Sequence, residues 1–201
     1  QRIINENGFR HYMPWRVVLK ESTTTPIRMV VDPSVSGLNL ILAKGLNNLA
    51  KINDIIIRSR CKMKIWSTDI SKLYNQLHLN DSSLPYGLFL FNKDMDPDKK
   101  PETFVMTRAW YGVTSTGNQS GYALEELARL LRPEYPAAYE VLSKDRYVDD
   151  VLSGAHTAEE VDQQVQQVTD ALAIGGFQTK FIVKSGEKPE DIASTDGVSI
   201  K

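Results

Sequence analysis

The segment Arg146-Tyr147-Val148-Asp149-Asp150-Val151-Leu152 sets two adjacent carboxylates inside a run of aromatic, β-branched and aliphatic residues. Those residue types favour strands, whereas neighbouring acids repel each other and resist burial. A chain folded around this segment must leave the acids on a solvated turn tip, where Asp is common, or compensate them, most simply with a divalent cation. Successive side chains on a strand point to opposite faces, so Asp149 and Asp150 can serve one site together only from a tight turn. Asp149 is therefore expected to be the principal ligand, with Asp150 a weaker contributor.

The flanking sequence alternates strand and helix signals. Trp15 to Lys20 and Ile27 to Asp32 are β-rich runs joined by a polar loop, the composition of a hairpin, with Lys20 and Arg28 flanking that loop. Pro33 to Gly37 reads as a turn. Apolar residues at Leu46, Leu49, Ile52 and Ile56 recur at helical spacing, predicting an amphipathic helix over 46–60. Lys64 to Ile70 reads as a buried strand containing an acid, Asp69, near its end, and Leu73 to Leu79 as a helical turn or a return strand. Leu88 to Phe91 and Thr103 to Arg108 are further strands around a surface loop at 92–102. A helix over 121–131 is stopped near Pro133. Another spans 158–172, begun by Thr157 with Glu160 three residues on and stopped at Gly175-Gly176, and Phe177 to Val183 is a closing strand. This order predicts an α+β fold with a split βαβ antiparallel sheet flanked by helices, in which the hairpin around Asp149 lies beside the strand carrying Asp69.

Charge narrows the partner classes little. Lys+Arg 24 against Asp+Glu 25 leaves a formal charge of −1, so any nucleic-acid surface must be local. No apolar run has the length of a membrane span, and the first residues lack a signal-peptide pattern. The single cysteine, Cys61, excludes an internal disulfide, fits a reducing compartment and is expected to pack in the core. His11, His78 and His156 have no metal-site or triad spacing, and Trp15, Trp66 and Trp110 are expected in the core. Starting at Gln1, the chain reads as a fragment or processed product.

Carboxylates from separate elements are what two-metal phosphoryl transfer needs, and Asp69 with Asp149-Asp150 can supply them. The chain also resembles a retroelement reverse transcriptase, in particular the BEL/Pao class of long-terminal-repeat retrotransposons. Five segments in the family's order carry the likeness: Thr23 to Asp32, Thr68 to Tyr74, Tyr111 to Gln119, Tyr147 to Asp150, and Gly175-Gly176-Phe177. The turn after Tyr111-Gly112 departs from the family's frequent Ser-Pro, reading Thr116-Gly117-Asn118-Gln119 here.

The resemblance implies a right-hand polymerase with fingers over 1–62 and 81–107 and palm over 63–80 and 108–201, without thumb, connection or RNase H. It implies RNA-directed DNA polymerase activity with two Mg²⁺ ions, Mn²⁺ being able to substitute. Asp69, Asp149 and Asp150 match the family's metal ligands, and Lys180 matches a lysine that protonates departing pyrophosphate. Tyr74 matches the aromatic gate that excludes a ribose 2′-hydroxyl. Lys20 and Arg28 match basic residues that hold the triphosphate, and Ile70, Tyr111, Gly112 and Tyr147 match the rest of the nucleotide pocket. The partners implied are a template–primer duplex of RNA or DNA and deoxynucleoside triphosphates, in an intracellular setting of cytoplasm or retroelement particle. Each residue also has a plainer structural reading, such as core aromatics, a tight-turn glycine and solvated strand cations. The alternative for the whole is a catalytically silent fold, domesticated or truncated, used for binding or for self-assembly through surfaces that a thumb would otherwise cover.

Overall fold

Side chains along Lys64–Ile70 (β3) alternate between the two faces of a sheet, with Trp66, Thr68 and Ile70 buried and Ile65, Ser67 and Asp69 wholly or partly exposed. The computed structural model describes residues 8–19, 26–46, 49–94 and 96–187, and its contacts divide the chain into two compact units, residues 1–45 with 74–116 and residues 46–73 with 117–201. Both units mix antiparallel strands with helices.

The first unit holds the expected hairpin, Trp15–Leu19 (β1) against Ile27–Val31 (β2), paired from Trp15 with Val31 to Leu19 with Ile27. A second pair joins Leu88–Phe91 (β4) to Glu102–Val105 (β5). Among the described residues, Met13, Val31, Leu38 and Trp110 form a buried cluster in this unit. The turn predicted over 33–37 leads into a short helix, Leu38–Ile41 (α1), that the sequence pattern did not announce. Tyr74 and Tyr111 belong to this unit, Tyr74 on the short helix Leu73–Gln76 (α3) that begins at the boundary.

The second unit is built on a four-stranded antiparallel sheet in the order β6-β7-β3-β8, where β6 is Arg146–Tyr147, β7 is Asp150–Ala155 and β8 is Thr179–Lys184. The hairpin containing Asp149 thus lies beside the Asp69 strand, as expected. Ala158–Ile174 (α6) packs on the face carrying Trp66, whose indole N–H donates to Gln164 Oε1 at 2.9 Å. The predicted start of α6 is present in full: the Thr157 side chain accepts from Glu160 N–H, and the Glu160 carboxylate accepts from Thr157 N–H.

Three expectations are corrected. The helix drawn over 46–60 is Ile52–Arg60 (α2), and its buried residues are Ile55 and Ser59, one turn apart, while Leu46 and Ile52 are exposed. Cys61 caps the end of α2 and is exposed, because the helix stops there and turns toward β3. The helix drawn from Gly121 starts earlier, at Thr116, and spans Thr116–Leu131 (α4). Beyond Pro133, where the sequence pattern announced no element, Pro136, preset for the first helical turn, opens Pro136–Lys144 (α5), which buries Ala138, Val141 and Leu142. α2 packs on β7 and falls in the second unit.

Candidate active site

Asp69 and Asp150 are direct partners across β3 and β7. Opposed residues of an antiparallel pair put their side chains on the same face, so both acids lie on the face opposite Trp66. Tyr147, paired with Asp150, shares that face. This is the tight-turn arrangement in which adjacent acids can serve one site together. Asp150 starts β7 in register with Asp69, while Asp149 sits in the two-residue turn between Tyr147 and Asp150.

That turn is unusual in its chemistry. Val148 has φ 56°, whereas Asp149 stays outside the left-handed region, the pattern of a type II′ turn whose first central residue is normally glycine. A β-branched residue there stores roughly 1–3 kcal/mol of strain. The turn is tied to β3 by Ile70 N–H, which donates to Asp149 O at 2.8 Å. It is tied from behind by Arg146, whose Nη1 donates to Val148 O at 2.9 Å.

The charges of the three acids act on one another. Burial raises the Asp69 carboxyl above its ordinary value, the Asp149 charge raises it further, Lys180 opposes the rise, and Asp150 adds to it. Burial and then Asp149 likewise raise Asp150. The turn acid therefore acts on both strand acids, and its effect on Asp69 exceeds that of the in-register Asp150.

Lys180 reaches Asp69 through a bulge. Thr68 pairs with Ile182 and Ile70 with Thr179, so Lys180 and Phe181 both stand opposite the single Asp69. Just beyond, Ser71 N–H donates to Gln178 O at 2.7 Å, anchoring the exit of β3.

Among the described residues, no group of three or more His, Cys, Asp and Glu side chains is assembled that could hold a metal ion. Asp69, Asp149 and Asp150 nevertheless have the chemistry of a Mg²⁺ donor set. They are hard oxygen donors whose mutual repulsion a cation relieves, and Mg²⁺ is commonly held by one or two carboxylates completed by water and substrate phosphates.

Of the remaining expected residues, Arg28, Tyr74, Tyr111 and Gly112 lie in the first unit, and Ile70 is fully buried at the end of β3. Arg28 is exposed on β2 opposite Val18, and Lys20 lies outside the described residues. Tyr74 and Tyr111 are in ring contact, with centroids 5.0 Å apart and planes tilted by 53°. Gly112 has φ 96°, and a Cβ there would come within 3.3 Å of Val31 O and Pro33 Cδ, so the turn requires glycine.

Two residues with structural parts in these turns escaped sequence reasoning. Asn39 braces the Tyr111 turn with both ends of its amide: Nδ2 donates to Gly112 O at 2.9 Å, and Oδ1 accepts from Thr114 N–H at 2.9 Å. Arg146 braces the Asp149 turn. Neither has a spacing signal; Arg146 could be suspected only as a cation placed next to Tyr147 in a strand-forming run.

No family model matches the chain, and no curated protein matches it. Among solved structures, a foamy viral protease-reverse transcriptase in complex with an RNA/DNA hybrid is similar, with a TM-score of 0.63, 15% sequence identity, and coverage of 84% of this chain and 20% of that chain. The fold is reverse-transcriptase-like. The chain spans about a fifth of that protein's length, and at this identity the likeness bears on architecture alone. Among the described residues no helix is long and apolar enough to cross a membrane.

Proposed function

We propose that this chain is the nucleotidyl-transfer core of an RNA-directed DNA polymerase. The 3′-hydroxyl oxygen of a primer attacks the α-phosphorus of a deoxynucleoside triphosphate, and pyrophosphate leaves. The observation that carries the reading is the register of Asp69 with Asp150, under the charge of Asp149 in the adjoining turn. Asp69, Asp149 and Asp150 would hold two Mg²⁺ ions, which when bound supply Lewis acidity at the reacting oxygens and phosphates. The chain's own contribution is position and charge. Lys180, whose charge reaches Asp69, would give a proton to the departing pyrophosphate. Tyr74, with Tyr111 against its ring, is assigned the exclusion of a ribose 2′-hydroxyl. The order of the five sequence segments supports an origin in the BEL/Pao class.

The test is primer extension by the chain on RNA and DNA templates with Mg²⁺ or Mn²⁺. The reading expects extension that Asp149→Asn lowers by at least roughly 100-fold, the upper end of what losing even an outer partner of a metal ligand costs. Equal extension by the wild type and Asp149→Asn overturns it.

A second reading, a silent fold used for assembly, is favoured by the exposed apolar β1–β2 hairpin, where Leu19 is 77% and Ile27 65% exposed. A defined oligomer in light scattering, with no extension and no metal binding, is its expected signature.

A further inference from the structure

The Arg146 guanidinium is largely buried, and burial lowers its affinity for its proton while the charge of Glu125 opposes that effect. Placing a cation there is costly unless its donors are used. They are: Nη1 donates to Val148 O at 2.9 Å, Nε to Leu142 O at 3.3 Å and Nη2 to Gly121 O at 3.4 Å. These acceptors come from the turn itself, from α5 and from α4. One of them is the carbonyl of the single residue in the hairpin that adopts a left-handed backbone.

Alternation along β6 explains why this side chain can reach all three. Tyr147 shares the face of Asp150, so Arg146 points the other way, toward the face of buried Val151, its cross-strand partner. From there its planar fork lies under the turn and between the two helices. A lysine, with one ammonium and no fork, cannot serve three diverging carbonyls in the same way.

We propose that Arg146 is a positioning residue whose guanidinium holds the strained Val148 turn in the conformation that places Asp149 beside Asp69. This rests on the reading of the three acids as the active site, but the clasp itself is a statement about the turn. Valine at a left-handed position resists the geometry, and a charge-assisted bond to its carbonyl opposes relaxation. Glycine at 148 would remove the need for the clasp, because it adopts positive φ without strain.

The test uses the full chain with Arg146→Met, Arg146→Lys, Val148→Gly and the two double variants, read by amide hydrogen exchange. Ile70 N–H, bonded to Asp149 O, reports the turn, and the amides of Trp66 and Thr68, at the middle of β3, serve as controls. Arg146→Met is expected to speed exchange at Ile70 by roughly tenfold or more, the loss of one charge-assisted bond, with Trp66 and Thr68 little changed. Adding Val148→Gly is expected to restore most of the protection. Uniform loss along β3, no change at Ile70, or no restoration by Val148→Gly overturns the proposal. If Arg146→Met does not fold, the same comparison between Arg146→Lys and Arg146→Lys with Val148→Gly decides it. In primer extension, Arg146→Lys is expected to lower kcat with little change in KM for the nucleotide, and Val148→Gly to recover it. A wild type without extension removes the polymerase reading and leaves the exchange result to judge the clasp.

Discussion

Asp69 and Asp150 oppose each other in register across β3 and β7, each with a carboxyl raised by burial and by the charge of Asp149. Two strand acids that are uncomfortable when ionised mark a position where charge has been placed at the expense of stability.

The first prediction is therefore a gain of stability on neutralisation. A carboxyl raised in the folded state binds its proton more tightly there than in the unfolded chain. Stability consequently falls as pH rises from the ordinary value of 3.8 through the raised folded value, and stays lower above it. Asp69→Asn and Asp150→Asn should each unfold at higher urea than wild type at pH 7, with the advantage shrinking as pH falls toward that ordinary value. Urea midpoints across pH check this, and variants weaker than wild type at neutral pH would refute it.

The second concerns the cation. A ligand that binds only the folded chain stabilises it by about 2.7 kcal/mol at 100 times its dissociation constant. Mn²⁺ or Mg²⁺ should raise the thermal midpoint of wild type and leave Asp69→Asn and Asp149→Asn nearly unmoved. Equal shifts in all three would place the cation elsewhere.

The third concerns sugar choice. Tyr74→Val removes a ring that touches Tyr111. It should raise incorporation of ribonucleotides relative to deoxynucleotides by at least roughly tenfold, in line with what steric pockets discriminate. An unchanged ratio in a competition assay would return Tyr74 to the role of a packing residue.

The fourth concerns the brace in the first unit. Asn39→Ala leaves Gly112 O and Thr114 N–H without their amide partner. A loss of about 1–3 kcal/mol is expected in urea unfolding. Asn39→Asp keeps the acceptor for Thr114 N–H but loses the donor to Gly112 O, so it should fall between the two.

Much of the frame was legible because it is written in local patterns. The β1–β2 runs, the β3 alternation and the Thr157–Glu160 pair each need only neighbours in sequence to be read. α5 was missed because Pro133 reads as a stop and only the burial of Ala138, Val141 and Leu142 reveals the next face. Asp69 and the acid pair could be singled out from their contexts, but the face of Asp150 could not. It depends on which residues occupy the turn, and a valine at φ 56° is not what turn chemistry leads one to expect. The parts played by Asn39 and Arg146 depend on carbonyls 73 and 25 residues away, which no spacing encodes.

The bulge on β8 has a consequence for how the strand tolerates change. Thr179 and Ile182 are three positions apart yet oppose Ile70 and Thr68 on the same helix-covered face, because one residue of the intervening pair is surplus to the ladder. In most strands, losing a residue sends every later side chain to the wrong side. Here, deleting Lys180 would leave Phe181 opposite Asp69 and every partner from Ile182 onward in place. The lysine is thus an insertion the sheet does not need for its own register, and the identity of that residue is open to be set by the acid it faces.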